Sequence, residues 1–172
     1  VRFLTVNWRR AAQVILTIAL LLVVGTFIAQ AFPVLVGADH ALTVESGSME
    51  PRISTGSVVF VKEVPAERVG EGDIITFRDE GGNFITHRVY EDQSTESRIK
   101  FITKGDANAN PDGEPVYRSN YVGRLMFDLP YIGYIISFGN TRWGYVTLVL
   151  VPVTLLVFNE LWELYKTGFS DK

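Results

Sequence analysis

Hydrophobic and polar positions divide this chain into two apolar segments and a mixed region between them. From Arg10 to Asp39 no charged residue intervenes, and Val14 to Ala29 is almost wholly apolar. A helix needs roughly 20 such residues to cross a hydrocarbon core about 30 Å thick. The pattern therefore predicts a transmembrane helix over 11–36, with Pro33 marking its end. A buried core helix is the alternative, but such a helix usually keeps a polar face and this segment has none. A secretory signal has a shorter apolar region, about 7–15 residues, so an uncleaved anchor is expected.

A second charge-free run extends from Trp143 to Asn159, between Arg142 and Glu160. Trp143, Tyr145, Trp162 and Tyr165 lie near its ends like an interfacial belt. It predicts a second spanning helix over 143–162, kinked but not forbidden by Pro152. A C-terminal core helix or an interfacial helix are the alternatives. Arg9 and Arg10, with Arg2 nearby, flank the first segment, so the positive-inside rule places residues 1–10 in the cytoplasm. Two spans then return the tail, 163–172, to the cytoplasm and leave 37–142 outside, giving a multi-pass protein of the cell membrane.

The region between the spans reads as β structure. Val58–Val61, Asp73–Phe77, Phe84–Thr86 and Ile99–Thr103 are short β-branched and aromatic runs separated by turn formers. Gly81-Gly82 between two of them signals a hairpin, and Val64–Arg68 a short helix or turn. Turns spaced about ten residues apart favour an all-β sheet or barrel over βα units. The expected fold is mainly β, a β domain over 37–142 flanked by two membrane helices.

Composition narrows the chemistry. The 172 residues are 47% hydrophobic, enough for one domain with a core as well as apolar spans. The absence of cysteine excludes disulfides and thiolate metal sites, and two histidines are too few for a multi-histidine site. A net charge of −3 argues against a nucleic-acid partner, which needs a basic face.

Within the β region, Glu45-Ser46-Gly47-Ser48-Met49-Glu50-Pro51 is a compact turn carrying two serines. Serine becomes a nucleophile when a neighbouring base takes its proton, and imidazole, with a reference pKa near 6.5, suits that role. His87, in the strand-like Ile85-Thr86-His87-Arg88-Val89, is the candidate base. Asp106 and Asp112 are the nearest loop carboxylates that could orient it. Each also has a bland reading: Ser-Gly-Ser occurs in many turns, the Gly, Asp, Asn and Pro of the Asp106–Asp112 loop are turn formers by preference, and a strand histidine is usually just hydrogen-bonded. A calcium loop at Asp106–Asp112 lacks the downstream glutamate. His40 reads as an interface residue before the first strand.

The order of these segments resembles the type I signal peptidases, in the branch of archaea, the endoplasmic reticulum and some Gram-positive bacteria. The likeness runs through Ser46–Pro51, Gly72–Phe77, Thr86-His87-Arg88-Val89, Lys104-Gly105-Asp106 to Asp112, Val122-Gly123-Arg124 and Leu129–Gly133. It implies that Ser48 is the nucleophile and that His87 stands where bacterial relatives have a lysine base. It further implies that Asp112 pairs with His87, that Asp106 is a supporting acid, and that Ser46 assists the Ser48 N–H in the oxyanion hole. Ala107 stands where many relatives carry Asn, which bears on the hydrogen bonding of Asp106.

The resemblance implies a serine endopeptidase that removes signal peptides after small residues at −3 and −1, with no cofactor or metal. Its partners would be signal-peptide-bearing preproteins, the lipid bilayer and the protein-export channel. Two rivals stand beside it: a Ser–Lys peptidase using Lys62 or Lys104, and a non-catalytic membrane-tethered β-domain acting as an accessory subunit.

Overall fold

β-Branched and aromatic side chains fit a pleated, half-buried backbone, and their runs pair here into one seven-stranded sheet. The structure, a computed structural model, describes residues 8–31 and 33–170. The chain forms two units, one of Ile28–Tyr134 and one of Val1–Phe27 with Ile135–Lys172. The first holds the sheet: β1 (His40–Thr43), β2 (Val58–Lys62), β3 (Ile74–Arg78), β4 (Phe84–Asp92), β5 (Lys100–Lys104), β6 (Val116–Tyr117) and β7 (Tyr121–Leu129). Their spatial order is β1-β2-β7-β3-β4-β5-β6, and every pairing is antiparallel.

Three register shifts, at Phe60/Val61, Thr76/Phe77 and Val89/Glu91, interrupt the ladders. Such bulges bend strands and strengthen their twist, which curls the sheet toward a half-barrel. The predicted hairpin joins β3 to β4. Gly82 takes φ +81° in its turn, a conformation that L side chains rarely adopt, and Asp79 accepts from the backbone N–H and side-chain amide of Asn83. The expected short helix is a 3₁₀ turn at Ala66–Arg68.

Both faces of the central strands are buried, and each face feeds its own cluster. Ile75 and Phe77 join Val89, Phe101 and Val116 in one; Ile74 joins Met49, Ile53, Val59 and Val61 in the other. Alternation along β3 sends consecutive side chains to opposite faces. His40, expected before the first strand, opens β1 and pairs with Glu63 at 3.1 Å.

The second unit is helical. α1 (Trp8–Ala31) ends one turn earlier than the expected 11–36 segment, whose last residues, Pro33–Val36, form a separate 3₁₀ turn. α2 (Ile132–Gly139), which begins in the first unit, is followed by α3 (Arg142–Tyr145). A π-helical turn at Val146–Leu150 leads into α4 (Val151–Ser170). Pro152 follows the π-helical turn directly, inside a helical run continuous from Arg142, and the missing N–H of proline falls where the backbone ladder changes period. Among the described residues one helical stretch, Arg142–Asn159, is long and apolar enough to cross a membrane; Gln13–Gly25 is a shorter apolar stretch. Most of the expected cytoplasmic segment (1–10) and the end of the tail (171–172) lie outside the described residues.

The Phe101 side chain is fully buried between strands. Replacing such a ring with a methyl group leaves a cavity and typically costs about 3–5 kcal/mol. Phe101→Ala should therefore lower the thermal unfolding midpoint markedly, followed by circular dichroism of the detergent-solubilised chain.

Candidate active site

The Ser48 turn is fixed by its neighbours. Met49 and Ile53 are buried in the core, the Glu50 N–H donates to Gly47 at 3.0 Å, and the Ile53 N–H donates to Met49 at 2.9 Å. The Glu50 carboxylate accepts from the Thr55 hydroxyl at 3.2 Å, closing the turn from outside. Ser48 itself is half-buried.

His87 is placed by the pairing of β4 with β3, opposite Ile75, and its ring meets the Phe77 ring edge-on at 6.3 Å. Its Nε2 lies 3.1 Å from Ser48 Oγ and its Nδ1 lies 2.6 Å from Asp112 Oδ2. The buried Thr103 holds that carboxylate: its hydroxyl donates to Asp112 Oδ2 at 2.7 Å, and its carbonyl accepts the Asp112 N–H at 2.8 Å. An ionised carboxylate only accepts, so the proton belongs on Nδ1, and Nε2 is left free to accept from the Ser48 hydroxyl. The His87 side chain is 9% exposed and that of Asp112 22%, so this bond lies largely out of water.

Asp106 has a different environment. It takes the Arg88 guanidinium in a two-pronged bond, at 2.9 Å to Nε and 2.6 Å to Nη2, while Arg88 Nη1 donates to the Gly72 carbonyl at 2.8 Å. The hydrogen bonds to Asp106 hold the Arg88 guanidinium protonated above its ordinary value, outweighing partial burial. The next residue, Ala107, donates its backbone N–H to the Ser48 carbonyl at 2.9 Å. The Asn-to-Ala departure at 107 thus leaves this contact intact, because only backbone takes part. The Asp106 pair anchors the loop that grips the nucleophile's turn, and Asp106 itself makes no bond to His87.

Ser46 Oγ stands 3.3 Å from Ser48 Oγ. Neither rival lysine is engaged at Ser48: Lys62 donates to the Gly37 carbonyl at 2.9 Å, and the Lys104 ammonium lies 5.7 Å from the Tyr90 ring centre. Among the described residues no group of three or more His, Asp or Glu could hold a metal ion. Thr103 and Arg88 are the members that sequence reasoning missed. Arg88 stood inside a quoted motif, and Thr103 carried no signal beyond its strand.

A cleft of about 710 Å³ ends at this set, lined by apolar Leu42, Val44, Met49, Ile53 and Val59. Two strand edges border it. β1 is the outermost strand at its end of the sheet, and β5 begins to pair with β4 only at Arg88, leaving Phe84–His87 unpaired on that side.

The Peptidase S24-like family profile matches residues 27–119. The chain is 40% identical over 93 residues to signal peptidase I W of Bacillus subtilis (strain 168), covering 51% of this chain and 47% of that protein. It is 30% identical over 165 residues to the putative signal peptidase complex catalytic subunit SEC11B of Homo sapiens, covering 90% of this chain and 99% of that one. Human SEC11C, a signal peptidase complex catalytic subunit, is 29% identical over 167 residues, covering 90% and 86%. The chain thus spans about half the length of the Bacillus relative and nearly all of the human ones.

A Cβ on Gly105 would stand 2.6 Å from the Ser48 carbonyl oxygen and 2.8 Å from Asn108 Nδ2. Gly105→Ala should push the loop off the turn and weaken the Ala107–Ser48 bond. The expected readout is faster hydrogen exchange at the Ala107 amide, by about tenfold or more if the bond, worth roughly 1.5 kcal/mol, is lost.

Proposed function

The chain belongs to the Peptidase S24-like family and to the type I signal peptidases, and we propose that it cleaves signal peptides from exported preproteins as a membrane-bound serine endopeptidase of the Ser-His-Asp type. The observation that carries the catalytic reading is the chain of hydrogen bonds from Ser48 through His87 to Asp112, at 3.1 and 2.6 Å. Ser48 Oγ attacks the scissile carbonyl while His87 Nε2 takes its proton. Asp112 keeps the Nδ1 tautomer and stabilises the imidazolium. The tetrahedral oxyanion is held by the Ser48 N–H, with the Ser46 hydroxyl as second donor. The step runs on protein groups alone, without cofactor or metal.

The substrate lies extended between the free edge of β1 and the unpaired half of β4, adding its own backbone bonds to the sheet. Short side chains at −1 and −3 point into the apolar cleft, matching the small residues of signal-peptide cleavage sites. α1 and the Arg142–Asn159 stretch anchor the external segment expected over 37–142 at the outer membrane surface, where the export channel delivers its preproteins. The hydrogen-bonded serine, histidine and aspartate weigh against a purely accessory β-domain.

Incubation of the solubilised chain with a preprotein, followed by N-terminal sequencing of the product, tests the reading. Ser48→Ala should abolish cleavage with the fold intact. Asp112→Asn should lower turnover by about three to four orders of magnitude through a wrong His87 tautomer. Asp106→Asn should cost stability at least as much as rate. A folded but inactive Asp106→Asn beside an active Asp112→Asn would reverse the two roles.

The topology has its own test. Tags at both ends of the chain in sealed vesicles should both be reached from the cytoplasmic side, with the β unit protected there. A C-terminal tag cut only from outside would show that Arg142–Asn159 does not span.

A further inference from the structure

The apolar cleft beside Ser48 accommodates only one half of a peptide substrate. The histidine that takes the serine proton later delivers it to the leaving amine as the C–N bond breaks. The chain on the amine side of that bond must therefore pass His87. A second cavity of about 710 Å³ opens there, sharing Ile85 and His87 with the first and reaching toward Asp112, Glu114 and the β3–β4 turn. An extended chain advances about 3.3–3.6 Å per residue, so positions +1 to +3 cover the first 10 Å or so beyond the scissile bond.

The two cavities differ in chemistry. The first has an aliphatic wall of Leu42, Val44, Met49, Ile53 and Val59 beside the hydroxyls of Thr43, Ser46 and Ser48, with Glu45 as its one carboxylate among the described residues. The second has an apolar floor from Phe77, Ile85 and Pro115, but Asp79, Glu80, Asp112 and Glu114 line it against Arg78, the one lysine or arginine among the described lining residues. That cation is engaged within the hairpin, its guanidinium lying over the Phe84 ring at 4.2 Å and donating to the Gly82 carbonyl at 3.4 Å. Asp79 stays ionised, because hydrogen bonds from the Asn83 side chain and backbone hold its carboxyl below the ordinary value. Asp112 is committed to His87 and Thr103. Glu80 and Glu114 remain exposed at the mouth.

Resting on the signal-peptidase reading, we propose that this second cavity binds the first two or three residues of the mature chain. Its carboxylates favour lysine or arginine there and disfavour aspartate and glutamate. The cleft with the aliphatic wall thus reads the end of the signal peptide, and the cavity with four carboxylates reads the beginning of the exported protein.

The test uses the full chain in detergent and three preproteins identical through −1, with Lys, Gln or Glu at both +1 and +2. The expected order of kcat/KM is Lys above Gln above Glu, with about three- to tenfold between the extremes, the scale of exposed charge pairs. The spread should shrink at about 1 M salt, where the screening length falls to about 3 Å. Glu80→Gln with Glu114→Gln should bring the Lys-to-Glu ratio toward one, and Glu114→Lys should reverse the order. Equal rates for the three substrates, or a ratio unmoved by these changes while the Gln substrate is cleaved, would overturn the acidic subsite and leave the peptidase reading standing. No cleavage of any of the three would overturn the peptidase reading, and the subsite with it.

Discussion

Pairing between β4 and β5 starts at Arg88 and Lys104, and the site depends on where that ladder stops. Past Lys104 the chain must leave the sheet, and Gly105 lets it do so directly against the Ser48 carbonyl. The departing loop reaches Ser48 through the Ala107 N–H and then returns to the Thr103 carbonyl through the Asp112 N–H. The same break leaves Phe84–His87 without a partner on one edge. One interruption in a ladder therefore delivers the carboxylate to His87, fixes the serine turn and opens the strand edge that a peptide can join.

The two aspartates of that loop illustrate how environment divides like residues. Asp112 lies with a fully buried threonine and a nearly buried imidazole, so its charge is spent on orienting His87. Asp106 meets a guanidinium that is about one-third exposed and uses both oxygens on it. An ion pair of this kind contributes modestly to global stability. Its importance is geometric, since it sets the position of the neighbouring Ala107 N–H. Geometry at Ser48 is thus maintained by groups that never approach a substrate.

Chemistry is also partitioned along the groove. Apolar side chains from β1, β2 and the Ser48 turn face one side of His87, and carboxylates from the β3–β4 turn and the β5–β6 loop face the other. Such a division lets one strand, β4, present different surroundings to the two halves of a bound chain.

Much of this protein was legible from side-chain pattern alone. Charge-free runs marked both apolar helical regions, and β-branched runs marked β2, β3, part of β4 and β5, because local periodicity and propensity dominate there. Ser48, His87 and the two aspartates were legible as candidates because few residue types can perform such chemistry and their order was preserved. β7 escaped notice although it lies in the middle of the sheet: Gly123, Arg124 and Asp128 dilute its pattern, and its strand character comes from partners β2 and β3, distant in sequence. α2 escaped for a related reason, as a short apolar run reads equally well as strand or helix. The family resemblance paired Asp112 with His87, but composition and spacing left the two aspartates equal, and the pairing of Asp106 with Arg88 came from the tertiary structure alone. Two carboxylates six residues apart in one loop are chemically equivalent until tertiary packing puts a buried threonine beside one and a guanidinium beside the other.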